Sequence, residues 1–231
     1  MTKEKKRKKK AGHQVEQLPE PRDEFCRERA RVLEALKSEE RDKSRAGGVD
    51  EDIASFVSTV NEKRHLYTAS SCAGRLIVTL NEDAPSGYAV PWLFVSHKYV
   101  LDTPLMMQQV REGIDQLPQR DNGDLSVWFK LEPPIVAVVC SSESAATKVM
   151  NIARGAAGIK RCFVISMRGD QGCVVSVSDT KRVECVMWQG KEQLASERYM
   201  EATVEIANKK LAESRAKMEK LRKAIEESDL L

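Results

Sequence analysis

The chain has 231 residues, 41% of them apolar, and a formal net charge of +3. That is enough apolar surface for an ordinary buried core, and no run approaches the ~18 apolar residues of a membrane span. The first ten residues carry +6 of the whole chain's +3, so residues 11–231 carry −3 and binding to nucleic acid does not follow from the overall charge.

Residues 1–22 are charged, hold Pro19 and Pro21, and read as a basic, disordered tail; residues 23–231 read as a single domain. The run MTKEKKRKKK lacks the apolar centre of a signal peptide. It suits a salt-sensitive arm that seeks phosphates, or a nuclear address. Six cysteines without a C-x-x-C pair then read as reduced thiols of a cytoplasmic protein. Three histidines, none paired at helical spacing, predict no metal site.

From Asp23, apolar residues Phe25, Val32, Leu33 and Leu36 recur with helical period up to the break at Gly47-Gly48. Val49, Ile53, Phe56, Val57 and Val60 form the apolar stripe of a second helix. Strands follow at 65–69, 74–81 and 92–98, then a helix to about Gln116 with Thr103 as its cap and Pro104 in its first turn. LSVWFKLE and PIVAVV read as strands separated by a bend at Pro133-Pro134. Ser142 caps a helix through Gly155, and RCFVISMR, GCVVSVS and RVECVMW read as three more strands. A long helix over 194–227 carries a stripe from Met200 to Ile225, interrupted at Ser214, which reads as a weak spot.

The order helix, three strands, helix occurs twice. It predicts an α+β fold with a duplicated unit and a curved sheet, mixed or antiparallel. Strands so close in sequence leave no room for the alternating βαβ of a Rossmann domain.

Four polar clusters interrupt these elements. DKSRAGGVDE places Asp42, Ser44, Gly47 and Asp50 between two helices, and a capped linker explains it as well as a site does. Ser70, Ser71, Cys72, Gly74 and Arg75 lie between two strands, where glycine permits close backbone approach and successive amides suit an anion. In WLFVSHK, strand alternation places Trp92, Phe94, Ser96 and Lys98 on one face and Leu93, Val95 and His97 on the other. Glu132 sits at a strand end before the proline bend. No Walker loop, G-x-G-x-x-G or H-E-x-x-H is present. Cys72 is a nucleophile only if a base stands beside it.

Together, DKSRAGGVDEDI, TASSCAGRLIV, WLFVSHK, LEPPIVAVV and ANKK resemble, in order, the tRNA wybutosine-synthesizing protein 3 family over Phe25 to about Leu221. The resemblance implies a non-Rossmann methyltransferase. It implies S-adenosyl-L-methionine as methyl donor and ring nitrogen N4 of a tricyclic base beside the anticodon of phenylalanine tRNA as acceptor. It marks Asp42, Ser44, Gly47, Asp50, Ser70, Ser71, Cys72, Gly74, Arg75, Trp92, Ser96, His97, Glu132 and Asn208 as motif residues. On that reading His97 or Asp50 takes the proton. Arg75 and the amides of 70–74 hold the donor's carboxylate or a tRNA phosphate, and Trp92 stacks the base. Cys72 packs or touches the cofactor without forming a covalent adduct. Ala46 replaces the family's usual lysine, and Cys162-Phe163-Val164 replaces its Ser-Gly-Ile. The competing readings are a noncatalytic tRNA-binding module and a thiol enzyme built on Cys72.

Overall fold

The computed structural model describes residues 18–37, 50–80, 92–116, 125–190 and 192–228. Among the described residues five α-helices run in chain order: α1 Asp23–Lys37, α2 Glu51–Glu62, α3 Thr103–Asp115, α4 Glu143–Gly155 and α5 Glu197–Glu226. Between them lie β1 Leu66–Cys72, β2 Arg75–Leu80, β3 Trp92–Ser96, β4 Ser126–Glu132, β5 Ile135–Cys140, β6 Arg161–Met167, β7 Cys173–Ser178, β8 Val183–Gln189 and the two-residue β9 Glu192–Gln193.

The strands form two sheets. The first has the order β1-β5-β7-β6 and the second β3-β2-β4-β8-β9. Every pairing is antiparallel. The expected order of helix, three strands, helix recurs around α2–α3 and α4–α5. The first unit gives one strand to the first sheet and two to the second; the other gives β6 and β7 to the first and β8, with the two-residue β9, to the second.

The two sheets are joined by chains that bend and carry on. Cys72 pairs with Ile135 on one side of the bend, and Arg75 with Glu132 on the other. Ser178 faces Ile135 and Val183 faces Leu131 in the next chain over. Three neighbouring chains therefore cross together, at 73–74, 133–134 and 179–182. Proline offers no amide to a ladder, so the crossing level is where Pro133 and Pro134 are tolerated. Gly74 has φ +82°, and a Cβ there would lie 2.8 Å from Leu211 Cδ1 and 2.9 Å from Pro134.

Helix α5 lies across this bend. Met200, Val204, Ala207 and Leu211 join Leu76, Val78, Phe129 and Leu131 in the core of the second sheet, with Met106, Met107 and Val110 of α3. Met218, Leu221 and Ile225 join Val136, Val138 and Val175 in the core of the first, with stripes from α2 and α4. Each such Val, Leu, Ile, Phe or Met side chain, once fully buried, contributes about 1.5–3 kcal/mol. On the other face of the first sheet, Phe25 of α1 meets Tyr67 with ring centroids 5.4 Å apart.

Ser214 is no weak spot. It lies fully buried between the two cores, and its hydroxyl donates to Asp179 Oδ2 at 2.8 Å. Lys217 Nζ and the Thr180 amide reach Asp179 Oδ1, each at 2.8 Å. The stripe breaks there because the helix passes a buried carboxylate rather than apolar sheet. Two smaller expectations also change. Asp102, not Thr103, caps α3 by accepting from the Leu105 amide, since Thr103 already has helical geometry. The last helix begins at Glu197 behind Ser196 rather than at residue 194, and just before it residues 192–193 extend the second sheet.

Two outcomes follow from the bend. Gly74→Ala is expected to cost about 2–3 kcal/mol in urea unfolding, because the new methyl meets Pro134 backbone and the φ is left-handed. Burial alone would raise the Asp179 carboxyl, but Lys217, Ser214 and the Thr180 amide outweigh it and hold the group below its ordinary value. A carboxylate held low in the fold stabilises it fully above the unfolded value and less as pH falls through the folded one. Asp179→Asn should therefore cost about 2–3 kcal/mol at neutral pH, and its deficit should shrink between about pH 5 and pH 3. A deficit constant over that window would show that the carboxylate charge is not its source.

Candidate active site

The Ser-Ser-Cys stretch belongs to a strand. Ser70, Ser71 and Cys72 are the last residues of β1, reached after a register shift between Thr68 and Ser70. The bend itself is only Ala73-Gly74. Ser71 faces Val136, and Ser70 and Cys72 face Ala137 and Ile135. Opposed residues share a face, so Ser71 is turned towards the helix-covered core and Ser70 and Cys72 away from it.

Next in the chain, Arg75 Nε donates to Glu132 Oε2 at 2.6 Å across the β2–β4 ladder. The Arg75 guanidinium stands over the Trp92 ring, 4.3 Å from its centroid. Trp92 belongs to β3, which pairs with β2 beside it. The strand breaks its alternation: a register shift falls opposite Trp92, and both Leu93 and Phe94 pack on the core of the second sheet. β3 also stops at Ser96, where the Ser96 hydroxyl donates to the Lys98 carbonyl at 2.8 Å and accepts from the Lys98 amide at 3.1 Å. That local turn occupies Ser96 and swings His97 out of the strand.

His97 then meets Asp50. Its Nδ1 lies 3.1 Å from Asp50 Oδ2, and both side chains are largely buried. Asp50 also caps α2, accepting from the Asp52 amide at 3.3 Å. With Nδ1–H donating to the carboxylate, the neutral ring keeps its lone pair on Nε2. Cys72 lies within the fields of Asp50, Arg75 and Glu132. Burial pushes its thiol up, against smaller opposite effects from the Gly74 amide hydrogen bond and Arg75. The Gly74 amide is thus turned to the sulfur, and the thiol is protonated at neutral pH.

Asp50, Cys72, Arg75, Trp92, His97 and Glu132 therefore come together from α2, the bend, β3 and β4. Gly74 serves packing, Ser71 faces the core and Ser96 builds a turn. Asp42, Ser44 and Gly47 lie outside the described residues. Asn208 is bound twice to Val100, its Oδ1 accepting from the amide at 3.1 Å and its Nδ2 donating to the carbonyl at 2.7 Å. It fastens the segment after His97 to α5.

Arg215 went unseen in the sequence, although it lies two helical turns after Asn208. Its Nε donates to the Ala73 carbonyl at 3.0 Å, and its Nη2 to the carbonyls of His97 at 2.5 Å and Gly74 at 3.5 Å. Its Nη1 pairs with Asp52 Oδ2 at 2.7 Å, and the guanidinium lies 5.5 Å from the Tyr99 ring centroid. One mostly buried side chain thus ties the bend, the His97 segment and the start of α2 together. A planar cation with five donors can do this where a lysine cannot.

Among the described residues, no group of three or more His, Cys, Asp or Glu is arranged to hold a metal ion. No helix among them is long and apolar enough to cross a membrane.

The family model described as Methyltransferase TYW3 matches residues 27–227. A "tRNA wybutosine-synthesizing protein 2/3/4" of Oryza sativa is 32% identical over 207 residues, covering 84% of this chain but 19% of that much longer protein. The Pyrococcus abyssi "tRNA(Phe) 7-((3-amino-3-carboxypropyl)-4-demethylwyosine(37)-N(4))-methyltransferase 1" is 28% identical over 183 residues, covering 79% of this chain and 88% of its own. Among solved structures, the PH1069 protein of Pyrococcus horikoshii superposes with a TM-score of 0.71 at 26% identity, over 88% of this chain and 96% of that one.

The Arg215 contacts generate an expectation of their own. Arg215→Lys should lower thermal stability and loosen the Asp50–His97 pair, seen as a changed His97 imidazole NMR signal, because lysine cannot make the three carbonyl bonds and the carboxylate pair together. An unchanged His97 signal would assign Arg215 to packing alone.

Proposed function

Because the chain belongs to the Methyltransferase TYW3 family, we propose that it methylates ring nitrogen N4 of the tricyclic wybutosine precursor next to the anticodon of phenylalanine tRNA. The precursor bears the 3-amino-3-carboxypropyl group found in the name of the archaeal relative. S-adenosyl-L-methionine is the donor, and the setting is cytoplasmic. The observation that carries this reading is the convergence of Asp50–His97, Cys72 and Arg75–Glu132–Trp92 at the bend.

The residues suit the donor. A guanidinium and a carboxylate 2.6 Å apart match the carboxylate and ammonium of its amino-acid end. When bound, the donor supplies an electrophilic methyl on a sulfonium, so the protein's task is mainly alignment, worth ~7–11 kcal/mol. Trp92, exposed over part of its indole, offers a flat surface for the base once it leaves the anticodon-loop stack. As N4 gains the methyl it loses a proton, and His97 Nε2 accepts it while Asp50 stabilises the imidazolium through Nδ1–H. A protonated Cys72 has no covalent role in this scheme.

The test is labelled methyl transfer to phenylalanine tRNA from cells lacking this step, with fully modified tRNA as the unreactive control. Label is expected on N4 in the first tRNA only. His97→Gln should lower kcat about 100-fold, and Cys72→Ala should keep most of it. No transfer, together with no thermal shift on adding S-adenosyl-L-methionine, would leave a tRNA-binding module instead. Loss of turnover in Cys72→Ala, with the fold intact, would favour a thiol enzyme.

A further inference from the structure

Both reactants of the proposed transfer carry the same substituent. The sulfonium of S-adenosyl-L-methionine bears a 3-amino-3-carboxypropyl group, and so does the tricyclic acceptor. Each such group presents a carboxylate and an ammonium on one carbon, attached to something flat. Recognition calls for a cation, a carboxylate and an aromatic surface side by side.

The second sheet offers that combination twice on one face. Thr79 pairs with Trp92 of β3 and with Trp128 of β4, so the two indoles flank a buried threonine on the face turned away from α3 and α5. Strand spacing sets their backbones ~9–10 Å apart. On one side the Trp92 ring bears the Arg75 guanidinium, which pairs with Glu132. On the other, Lys130 Nζ lies 5.8 Å from the Trp128 centroid and 3.2 Å from Glu184 Oε1, its opposite number on β8. Trp128 and Lys130 are two residues apart, ~6–7 Å along the strand, and Lys130 and Glu132 a further two. Among the described residues of this face each cation stands beside a carboxylate, Arg75 by Glu132 and Lys130 by Glu184, an arrangement that suits zwitterions.

We propose that Trp128, Lys130 and Glu184 form the subsite for the 3-amino-3-carboxypropyl tail of the acceptor base, separate from the Arg75–Glu132 pair that holds the same group of the donor. The inference rests on the transferase reading above. The base enters over Thr79 between the two indoles. Its tail lies along β4, with the carboxylate on Lys130 and the ammonium on Glu184. Arg75–Glu132 goes to the donor because it neighbours Cys72 and hence Asp50–His97 at the bend. Lys130–Glu184 goes to the tail because Glu184 is half exposed, which leaves room for a substituent that arrives on a polynucleotide. The enzyme thereby selects the tailed base over the bare tricycle.

The test uses the full-length protein and two phenylalanine tRNAs, one with the tailed base and one with a tricycle lacking the tail. Glu184→Gln and Lys130→Met are expected to lower kcat/KM on the tailed tRNA about tenfold or more, through KM. Turnover of the tail-less tRNA and the KM for donor should stay within about twofold of the wild type. Equal losses on both tRNAs, no loss on either, or a raised donor KM would overturn the subsite. Filter binding without donor gives a second readout. The wild type should bind the tailed tRNA more tightly, and both variants should lose that preference. A wild type that shows the binding preference but transfers no methyl would refute the transferase and keep the subsite. One that methylates both tRNAs equally would do the reverse.

Discussion

The structure depends on three neighbouring chains bending at one level and being held there. Two prolines and a left-handed glycine make the bend possible, but they do not hold it. The hold comes from α5, whose side chains bury in the cores on both sides and whose polar residues meet the bend directly. Asp179, with Ser214, Lys217 and the Thr180 amide around it, is a buried charge with its hydrogen bonds satisfied. Such a carboxylate costs desolvation, and its bonds are what make it tolerable. In return the helix can cross the bend in one axial position, since a shift by one residue would strand the charge.

That single position also places Arg215. From α5 the guanidinium reaches carbonyls of the β1–β2 crossing and of the segment after β3, and a carboxylate in the first turn of α2. These three pieces carry Cys72 and Arg75, His97, and Asp50. The Asp50–His97 pair is thus positioned by bonds to backbone, which are insensitive to the identity of the side chains they align. Asn208 repeats the device seven residues earlier, with both of its bonds going to Val100.

The face of the second sheet supplies the rest. Period-two alternation along β2 and β4 puts Arg75, Ile77 and Thr79, and Trp128, Lys130 and Glu132, on one side. The apolar alternates go to α3 and α5. One side of the sheet packs on helices, and on the other, antiparallel order puts cations opposite carboxylates in the same rows.

The sequence by itself determined the elements, their order, the proline bend, the Ser142 cap and the family, because period, punctuation and motif order are properties of neighbouring residues. It also marked most of the residues that converge. It misread what depends on partners distant in the chain. The Ser-Ser-Cys stretch looked like a turn, since nothing local reveals that β5 continues its ladder. Ser214 looked like a flaw in an apolar stripe, since the carboxylate that explains it is 35 residues away. Strict alternation in WLFVSHK was lost to a register shift against β2 and a turn closed by Ser96. Arg215 and the Trp128–Lys130–Glu184 row carry no local signature at all. Their meaning comes from a helix crossing a bend and from strands meeting in register, and only the tertiary structure decides those, because long-range pairing is chosen by the burial of the whole core rather than by any one segment.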